Sequence, residues 1–155
     1  MQQKCDIYLS EPTQTERLRS VGMFDRDFQY EEGKLYVGYL GVNIYRVKLV
    51  SIVSDLRKRN IACFGVPTTY RDNENLSLDA AISIANEYTR SLGKSAEPSS
   101  MLKSKSPPVY WIFDLKNDEG PGGKAGGVVM VDRIDGHIWS QCEYEEYMYD
   151  FNNIL

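Results

Sequence analysis

The stretch NDEGPGGKAGGVVMVDRIDGHIW, residues 117–139, decides how the second half of the chain folds. Five glycines and a proline precede an apolar run, and the dipeptide Asp135-Gly136 follows that run. Glycine-rich segments occur both in phosphate-binding loops and at the corners of β-sheets. The residues on either side of the glycines distinguish these two readings.

A phosphate-binding loop is disfavoured, because both common patterns require a helix directly after the glycines. Lys124 is followed by Ala125 rather than by Ser or Thr, so the P-loop pattern is incomplete. The dinucleotide-binding pattern fits nominally at Gly120, Gly122 and Ala125. However, VVMVDR at residues 128–133 has strand character and no helical period. The loop is therefore predicted to join two strands.

A three-stranded antiparallel meander is predicted over residues 109–140. VYWIFDLK, residues 109–116, alternates like a strand with two different faces. Asp135-Gly136 between apolar runs favours a two-residue hairpin turn of type I′, in which both residues have positive φ. SLDAAISIANEYTRSL, residues 77–92, predicts an amphipathic helix that begins at the N-cap Ser77. We expect this helix to cover one face of the meander.

The rest of the chain completes an α+β prediction. IYRVKLVSIVSDLRKRN, residues 44–60, favours a helix over a strand. Its predicted apolar stripe consists of Val47, Val50, Val53 and Leu56, with Leu49 and Ile52 beside it. Residues 94–108 are rich in Ser, Lys and Pro and are predicted to form a flexible surface loop. The expected fold is an antiparallel sheet with helices packed mainly on one face, in a single domain over residues 1–155.

The second half of the chain resembles PepSY-like domains of cystatin-like topology. It is similar in particular to the bacterial immunity proteins of the family numbered 35, which belong to polymorphic-toxin systems. In that family a W-x-F strand is followed by a glycine pair and a V-D-x-x-T-G hairpin. The resemblance covers residues 75–141, and Asp135 stands where the family more often has Thr. The matching residues are Trp111, Phe113, Gly127, Val131, Asp132 and Gly136.

The resemblance implies a cytoplasmic protein that binds and blocks a toxin delivered by a neighbouring cell, without catalysis. The alternatives are a small enzyme or ligand-binding domain that uses clustered carboxylates, and a dimeric structural adaptor that pairs through sheet edges. His137 is the sole histidine, which leaves one candidate general base, and it is predicted to be a half-exposed strand residue. The carboxylate pairs Asp25 with Asp27 and Glu31 with Glu32 are expected to be solvated surface groups. No catalytic residue, cofactor or metal site is predicted, and three widely spaced cysteines suggest no zinc site.

The C-terminal segment is the predicted contact region. Residues 134–155 contain five carboxylates and neither Lys nor Arg, so they hold more negative charge than the whole chain, whose formal charge is −4. Tyrosines at helical spacing within the segment predict a helix that packs on the sheet and turns its charge outward. The predicted partner-binding residues are Glu143, Tyr144, Glu145, Glu146, Tyr147 and Asp150.

Charge and hydropathy also limit the partners and the location. An acidic surface disfavours nucleic acids and favours a basic protein, such as a nuclease toxin whose active site binds phosphates. No stretch of eighteen apolar residues occurs, and the first residues, MQQKCDIYLS, have no apolar signal-peptide region. We therefore expect a cytoplasmic protein that does not contact a membrane.

Overall fold

The computed structural model describes residues 3–24, 31–99, 106–117 and 125–154. The chain forms two compact units: unit 1 comprises Met1–Asp72 with Gln141–Leu155, and unit 2 comprises Asn73–Ser140. The α+β class is confirmed, since helices accompany an antiparallel sheet in each unit. The single domain over residues 1–155 stays a prediction.

The elements follow one another in a mixed order. They are β1 (Lys4–Gln14), a 3-10 helix (Thr15–Leu18), α1 (Arg19–Phe24), β2 (Leu35–Tyr39), β3 (Ile44–Tyr45), α2 (Arg46–Lys58), β4 (Cys63–Pro67), α3 (Thr68–Asp72), α4 (Leu78–Arg90), β5 (Lys94–Pro98), β6 (Tyr110–Asn117), β7 (Ala125–Asp132) and α5 (Gln141–Asn152).

Unit 1 is built around β1, which pairs antiparallel with β2, β3 and β4. Alternate residues of β1 point into the core, as expected of a strand with one covered face, and Cys5, Ile7 and Leu9 are fully buried. The core continues through α2, whose buried residues are Leu49, Ile52, Val53 and Leu56. Helix α5 packs against both α2 and β4.

The helix prediction for α2 is confirmed, but half of its predicted apolar stripe is wrong. Val53 and Leu56 are buried, whereas Val47 is 60% exposed and Val50 is half-buried. Because apolar residues occupy both sides of the first two turns, periodicity alone could not choose between two adjacent faces. The face that carries Leu49 and Ile52 packs on the sheet, and Val47 is left at the surface.

Unit 2 is an antiparallel sheet of order β5-β6-β7, so a three-stranded antiparallel sheet in the second half of the chain is confirmed, with one strand different from those predicted. Helix α4 packs on it as predicted, and the Ala80 N–H donates to the Ser77 side-chain oxygen at 3.1 Å, which caps the helix. Small residues on α4 bring the helix close to the sheet. Their shared core consists of Ala81, Ala85, Ala96, Phe113, Leu115, Val129 and Val131.

The strands of the meander differ from those predicted. Lys94–Pro98, predicted as the start of the surface loop over residues 94–108, forms β5 and pairs with β6. Residues 100–105 of that loop lie outside the described residues. By contrast, residues 137–140, predicted as the third strand, make only one bridge, between Val131 and Ile138. The third strand of the sheet is β5, which pairs with the edge of β6 that faces away from β7, despite the polar sequence of β5.

The turn after β7 is longer than the predicted two-residue hairpin. Asp132 N–H donates to the His137 carbonyl at 2.8 Å, so residues 133–136 form the loop. Gly136 has a φ of +78°, whereas Asp135 has no positive φ, and the type I′ prediction is wrong. The glycine-rich loop lies at residues 118–124, outside the described residues. Its flanks β6 and β7 pair antiparallel, so the segment joins two strands as predicted.

A candidate partner-binding surface on α2 and α5

Helix α5 carries all six predicted contact residues, and the structure places them on different sides. Tyr147 is 5% exposed, and its hydroxyl donates to the Gly65 carbonyl at 2.8 Å. Met148 is buried beside it. The predicted packing of the tyrosine side is therefore observed, and Tyr147 lies inside unit 1 rather than on its surface.

Gly65 of β4 lets α5 approach the sheet closely. Its N–H donates to the Asn152 side-chain oxygen at 2.8 Å. A Cβ atom at this position would lie 2.5 Å from Leu49 Cδ2 and would overlap the Phe151 carbonyl oxygen. Only glycine fits at this crossing, because real Cβ atoms do not approach other heavy atoms so closely.

Two arginines of α2 satisfy the C-terminal end of α5. The last carbonyl groups of a helix lack partners within the helix and carry partial negative charge. The Arg46 guanidinium donates to the Asp150 carbonyl at 2.8 Å, and the Arg57 guanidinium donates to the Asn152 carbonyl at 2.9 Å. Since α5 has no basic residue in its own last turn, these contacts fix its orientation on α2.

The outer side of α5 is acidic. Glu145, Glu146 and Asp150 are exposed, and Glu143 and Tyr144 are half-buried. Residues 134–155 contain neither Lys nor Arg, and the Arg46 contact to Asp150 is made at the backbone carbonyl. The exposed carboxylates of α5 therefore have no Lys or Arg side chain from residues 134–155 beside them.

Tyr149, which sequence reasoning did not select, occupies the centre of the exposed side. It is 54% exposed and lines two shallow grooves of about 290 and 270 Å³. The first groove is lined by Arg46, Val47, Val50, Tyr149, Asp150 and Asn153. The second groove is lined by Tyr144, Glu145, Met148, Tyr149 and Ile154. We call these two grooves and the exposed carboxylates Glu145, Glu146 and Asp150 the α2/α5 surface.

The position of Tyr149 in the sequence of α5 indicates that it is exposed. The predicted stripe followed spacings of three and four through Tyr144, Tyr147 and Phe151, and Tyr149 falls two positions from Tyr147, on the opposite side of the helix. An aromatic residue outside the buried stripe of an amphipathic helix is a candidate for exposure. The exposed Val47 could not be found in this way, because its side of α2 was predicted to be buried.

The carboxylate pairs predicted as solvated surface are only partly described. Glu31 and Glu32 are exposed, whereas Asp25 and Asp27 lie outside the described residues. His137 is 42% exposed at its side chain, as predicted, but it follows a turn rather than lying in a strand.

Comparison with known proteins gives no assignment: no family model matches the chain, and no curated protein or solved structure matches it significantly. Within the described ranges, no helix is long and apolar enough to cross a membrane.

Proposed function

We propose that this protein is a cytoplasmic immunity protein of the PepSY-like, cystatin-like type, which neutralises a toxin by binding it without catalysis. The observation that carries the proposal is the placement of Tyr149 between two grooves, beside exposed carboxylates that have no basic residue in their own segment. The contact surface is the α2/α5 surface.

The chemistry of this surface favours a protein partner. An exposed tyrosine supplies a large contact area with few rotatable bonds, and aromatic residues at the centre of an interface often contribute most of the binding energy. Val47, 60% exposed, adds apolar area beside it. The grooves are open and shallow rather than enclosing, as suits the side chains of a partner protein.

The charge of the surface favours a basic partner. Glu145, Glu146 and Asp150 present three exposed carboxylates on adjacent turns of α5. Such a field attracts a positively charged protein and accelerates association at low salt. A toxin that attacks nucleic acids needs positive charge around its active site, so an acidic helix can occupy that site in place of the phosphates.

The first experiment identifies the partner. Toxin candidates encoded beside the gene are co-expressed with this chain, and growth rescue, co-purification and the dissociation constant are measured. We expect one candidate to be neutralised and bound in a stoichiometric complex. Failure of every neighbouring candidate to bind would contradict the proposed function.

The second experiment locates the contact on that partner. Tyr149→Ala is expected to weaken binding by about 30-fold, equivalent to about 2 kcal/mol, because it removes the central aromatic group. Its matched control is Tyr88→Ala, which removes a similarly exposed tyrosine from α4 in unit 2. Equal weakening by both variants would place the contact elsewhere.

A charge-reversal variant tests the electrostatic part. Glu145→Lys, Glu146→Lys and Asp150→Lys together are expected to lower the association rate tenfold or more at low salt and to abolish its salt dependence. The control reverses Glu74 and Glu87, two exposed carboxylates of unit 2. An unchanged association rate in the triple variant would contradict charge steering by α5.

A further inference from the structure

The turn after β7 brings three metal-ligating side chains together in unit 2. Asp132, Asp135 and His137 each offer one ligand atom, and these atoms all lie within 4.8 Å of one another. His137 Nδ1 lies 2.5 Å from Asp135 Oδ1 and 3.9 Å from Asp132 Oδ2. One ring nitrogen therefore faces two carboxylates from the same six-residue turn.

The innermost ligand is held rigidly. The Asp132 side chain is 4% exposed, and its Oδ2 accepts a hydrogen bond of 2.9 Å from the Trp139 indole N–H. Its Oδ1 accepts from the Ile134 N–H at 2.8 Å and from the Asp135 N–H at 3.3 Å. Hydrogen bonds of this kind to a ligating carboxylate are typical of the outer shell of metal sites, where they fix the orientation of the ligand.

Contacts within the turn also hold the side chains of Asp135 and His137. The His137 ring lies parallel to the Trp139 ring, at 4° with centroids 6.4 Å apart. The His137 backbone N–H donates to Asp135 Oδ1 at 2.9 Å. Both side chains are partly exposed, which leaves an open direction toward solvent.

A simple ion pair between His137 and Asp135 would explain less of this geometry. Such a pair requires one carboxylate, whereas Asp132 Oδ2, which is held by the Trp139 indole N–H, also lies 3.9 Å from the same nitrogen. Two carboxylates match the charge of one divalent cation, and a neutral imidazole adds a nitrogen ligand to it.

We propose that Asp132, Asp135 and His137 form a binding site for a divalent transition-metal ion, with Zn²⁺ as the natural occupant. The imidazole nitrogen selects against Ca²⁺ and Mg²⁺, which prefer oxygen ligands throughout. The metal coordinates Nδ1 of the neutral ring, whose proton is then on Nε2, and one oxygen of each carboxylate; an imidazolium ring first releases its Nδ1 proton to the buffer. Since Zn–N and Zn–O bonds are about 2.0–2.2 Å, the Asp135–His137 contact must widen to roughly 3 Å, and water completes the tetrahedron.

The single histidine gives a direct test, because its ring signals in NMR spectra need no assignment. Chelator-treated protein is titrated with ZnCl₂ while binding heat and the His137 ring nitrogens are followed. We expect one ion per chain with micromolar affinity, and a shift at Nδ1 that identifies it as the bound nitrogen. Excess Mg²⁺ or Ca²⁺ is expected to leave the bound Zn²⁺ in place.

Two variants and one control make the assignment specific. His137→Ala and Asp135→Ala are expected to weaken Zn²⁺ binding tenfold or more, and both side chains are exposed, so thermal melts without metal should remain cooperative. Cys142→Ser is the control, since Cys142 is an exposed free thiol in unit 1 that could also bind zinc. Its affinity for Zn²⁺ should equal that of the unaltered protein.

Three results would overturn the site. They are binding only at millimolar zinc, unchanged affinity in His137→Ala, and loss of the bound ion in Cys142→Ser. If a variant fails to fold, the Nδ1 shift in the unaltered protein still decides the question, because a metal bound elsewhere leaves that nitrogen unperturbed. The test does not depend on the proposed immunity function, which concerns unit 1.

Discussion

Asp6 places a carboxylate in the core of unit 1. Its carboxylate is fully buried and accepts hydrogen bonds from the backbone N–H groups of Ile7, Gly41 and Val42. The Arg71 guanidinium donates to it at 2.9 Å. Burial raises the pKa of Asp6 above its ordinary value, although the Arg71 and backbone hydrogen bonds favour the ionised form. Arg71 therefore limits the energetic cost of a buried charge.

Removing Arg71 should make stability strongly dependent on pH. Arg71→Met is expected to lower the free energy of unfolding by about 3 kcal/mol at pH 7, because an unpaired carboxylate is left in the core. Since the folded-state pKa of Asp6 is raised, protonation stabilises the folded state fully below the unfolded-state pKa of about 4, and this stability is lost as the pH rises through the folded pKa. Urea unfolding at pH 4 and at pH 7 measures the difference.

The loss in Arg71→Met should thus be much smaller at pH 4 than at pH 7. Arg19→Met, at an exposed arginine of α1, is the matched control and should change stability little at either pH. A loss of equal size at both pH values would contradict the electrostatic explanation. It would point instead to the hydrogen bonds that Arg71 makes with Val42 and Asn43.

At the scale of elements, the packing of α5 on β4 depends on Gly65. Gly65→Ala is expected to destabilise the protein by about 1–3 kcal/mol, because the added methyl group would overlap Leu49 and the Phe151 carbonyl. Thermal unfolding gives the loss, and limited proteolysis shows whether α5 detaches. Tyr149→Ala, on the exposed side of the same helix, is the control and should leave the melting temperature unchanged.

A Gly65→Ala variant of normal stability would show that α5 is not held as closely as the structure indicates. The melting temperature of Tyr149→Ala also helps to interpret its affinity for the partner. If Tyr149→Ala loses affinity while it keeps its stability, the lost affinity reports a contact and not a loosened helix.

Elements with strong local signals were predictable from the sequence, and those that depend on a partner were not. Helix α4 has an N-cap, a periodic stripe and Gly93 beyond its end, so local chemistry determines it. Strand β5 has the sequence KSAEP, which alternates poorly and ends in proline, and it is a strand only because β6 offers an unpaired edge. Pairing with β6 therefore determined the structure of β5 against the preference of its sequence.

The candidate sites likewise contain features that local sequence predicts and features that depend on tertiary packing. The acidic helix could be predicted because charge and period are properties of the sequence. The exposure of Val47 depends on which face of α2 meets the sheet, and the proximity of Asp132 to His137 depends on the length of a turn. Because the loop has four residues rather than two, the side chain of His137 returns toward β7. No local propensity determines that distance.

At the scale of the whole molecule, one unit is continuous and the other is not. Unit 2 occupies Asn73–Ser140 and has its own core of α4 and three strands. Unit 1 needs α5, which supplies Tyr147 and Met148 after unit 2 has ended. Small units bury a smaller fraction of their surface, so the loss of one packed helix is expected to destabilise either unit strongly.

Fragments of the chain that correspond to the two units should differ in whether they fold alone. Residues 73–140 alone are expected to unfold cooperatively and to give dispersed NMR signals. Residues 1–72 alone are expected to be poorly folded, because the apolar groups that α5 covers are exposed. Joining residues 1–72 to residues 141–155 through a flexible glycine-serine linker should restore a cooperative transition.

The linked chain is the control for the isolated N-terminal fragment, since both contain the same β-sheet. A well-folded fragment 1–72 would contradict a structural role for α5. An unfolded fragment 73–140 would show that the compact unit needs the rest of the chain.

The interruption of unit 1 has a consequence during translation. At about 5–20 residues per second, a ribosome needs roughly 3 to 14 seconds to synthesise residues 73–140. During that interval β1 and α2 have been synthesised while α5 does not yet exist. The core of unit 1 is therefore incomplete until α5 has been made, and the α2/α5 surface forms only after unit 2 has been synthesised. Under the proposed immunity function, protection of the cell would depend on the number of finished molecules rather than on the rate at which new ones are begun.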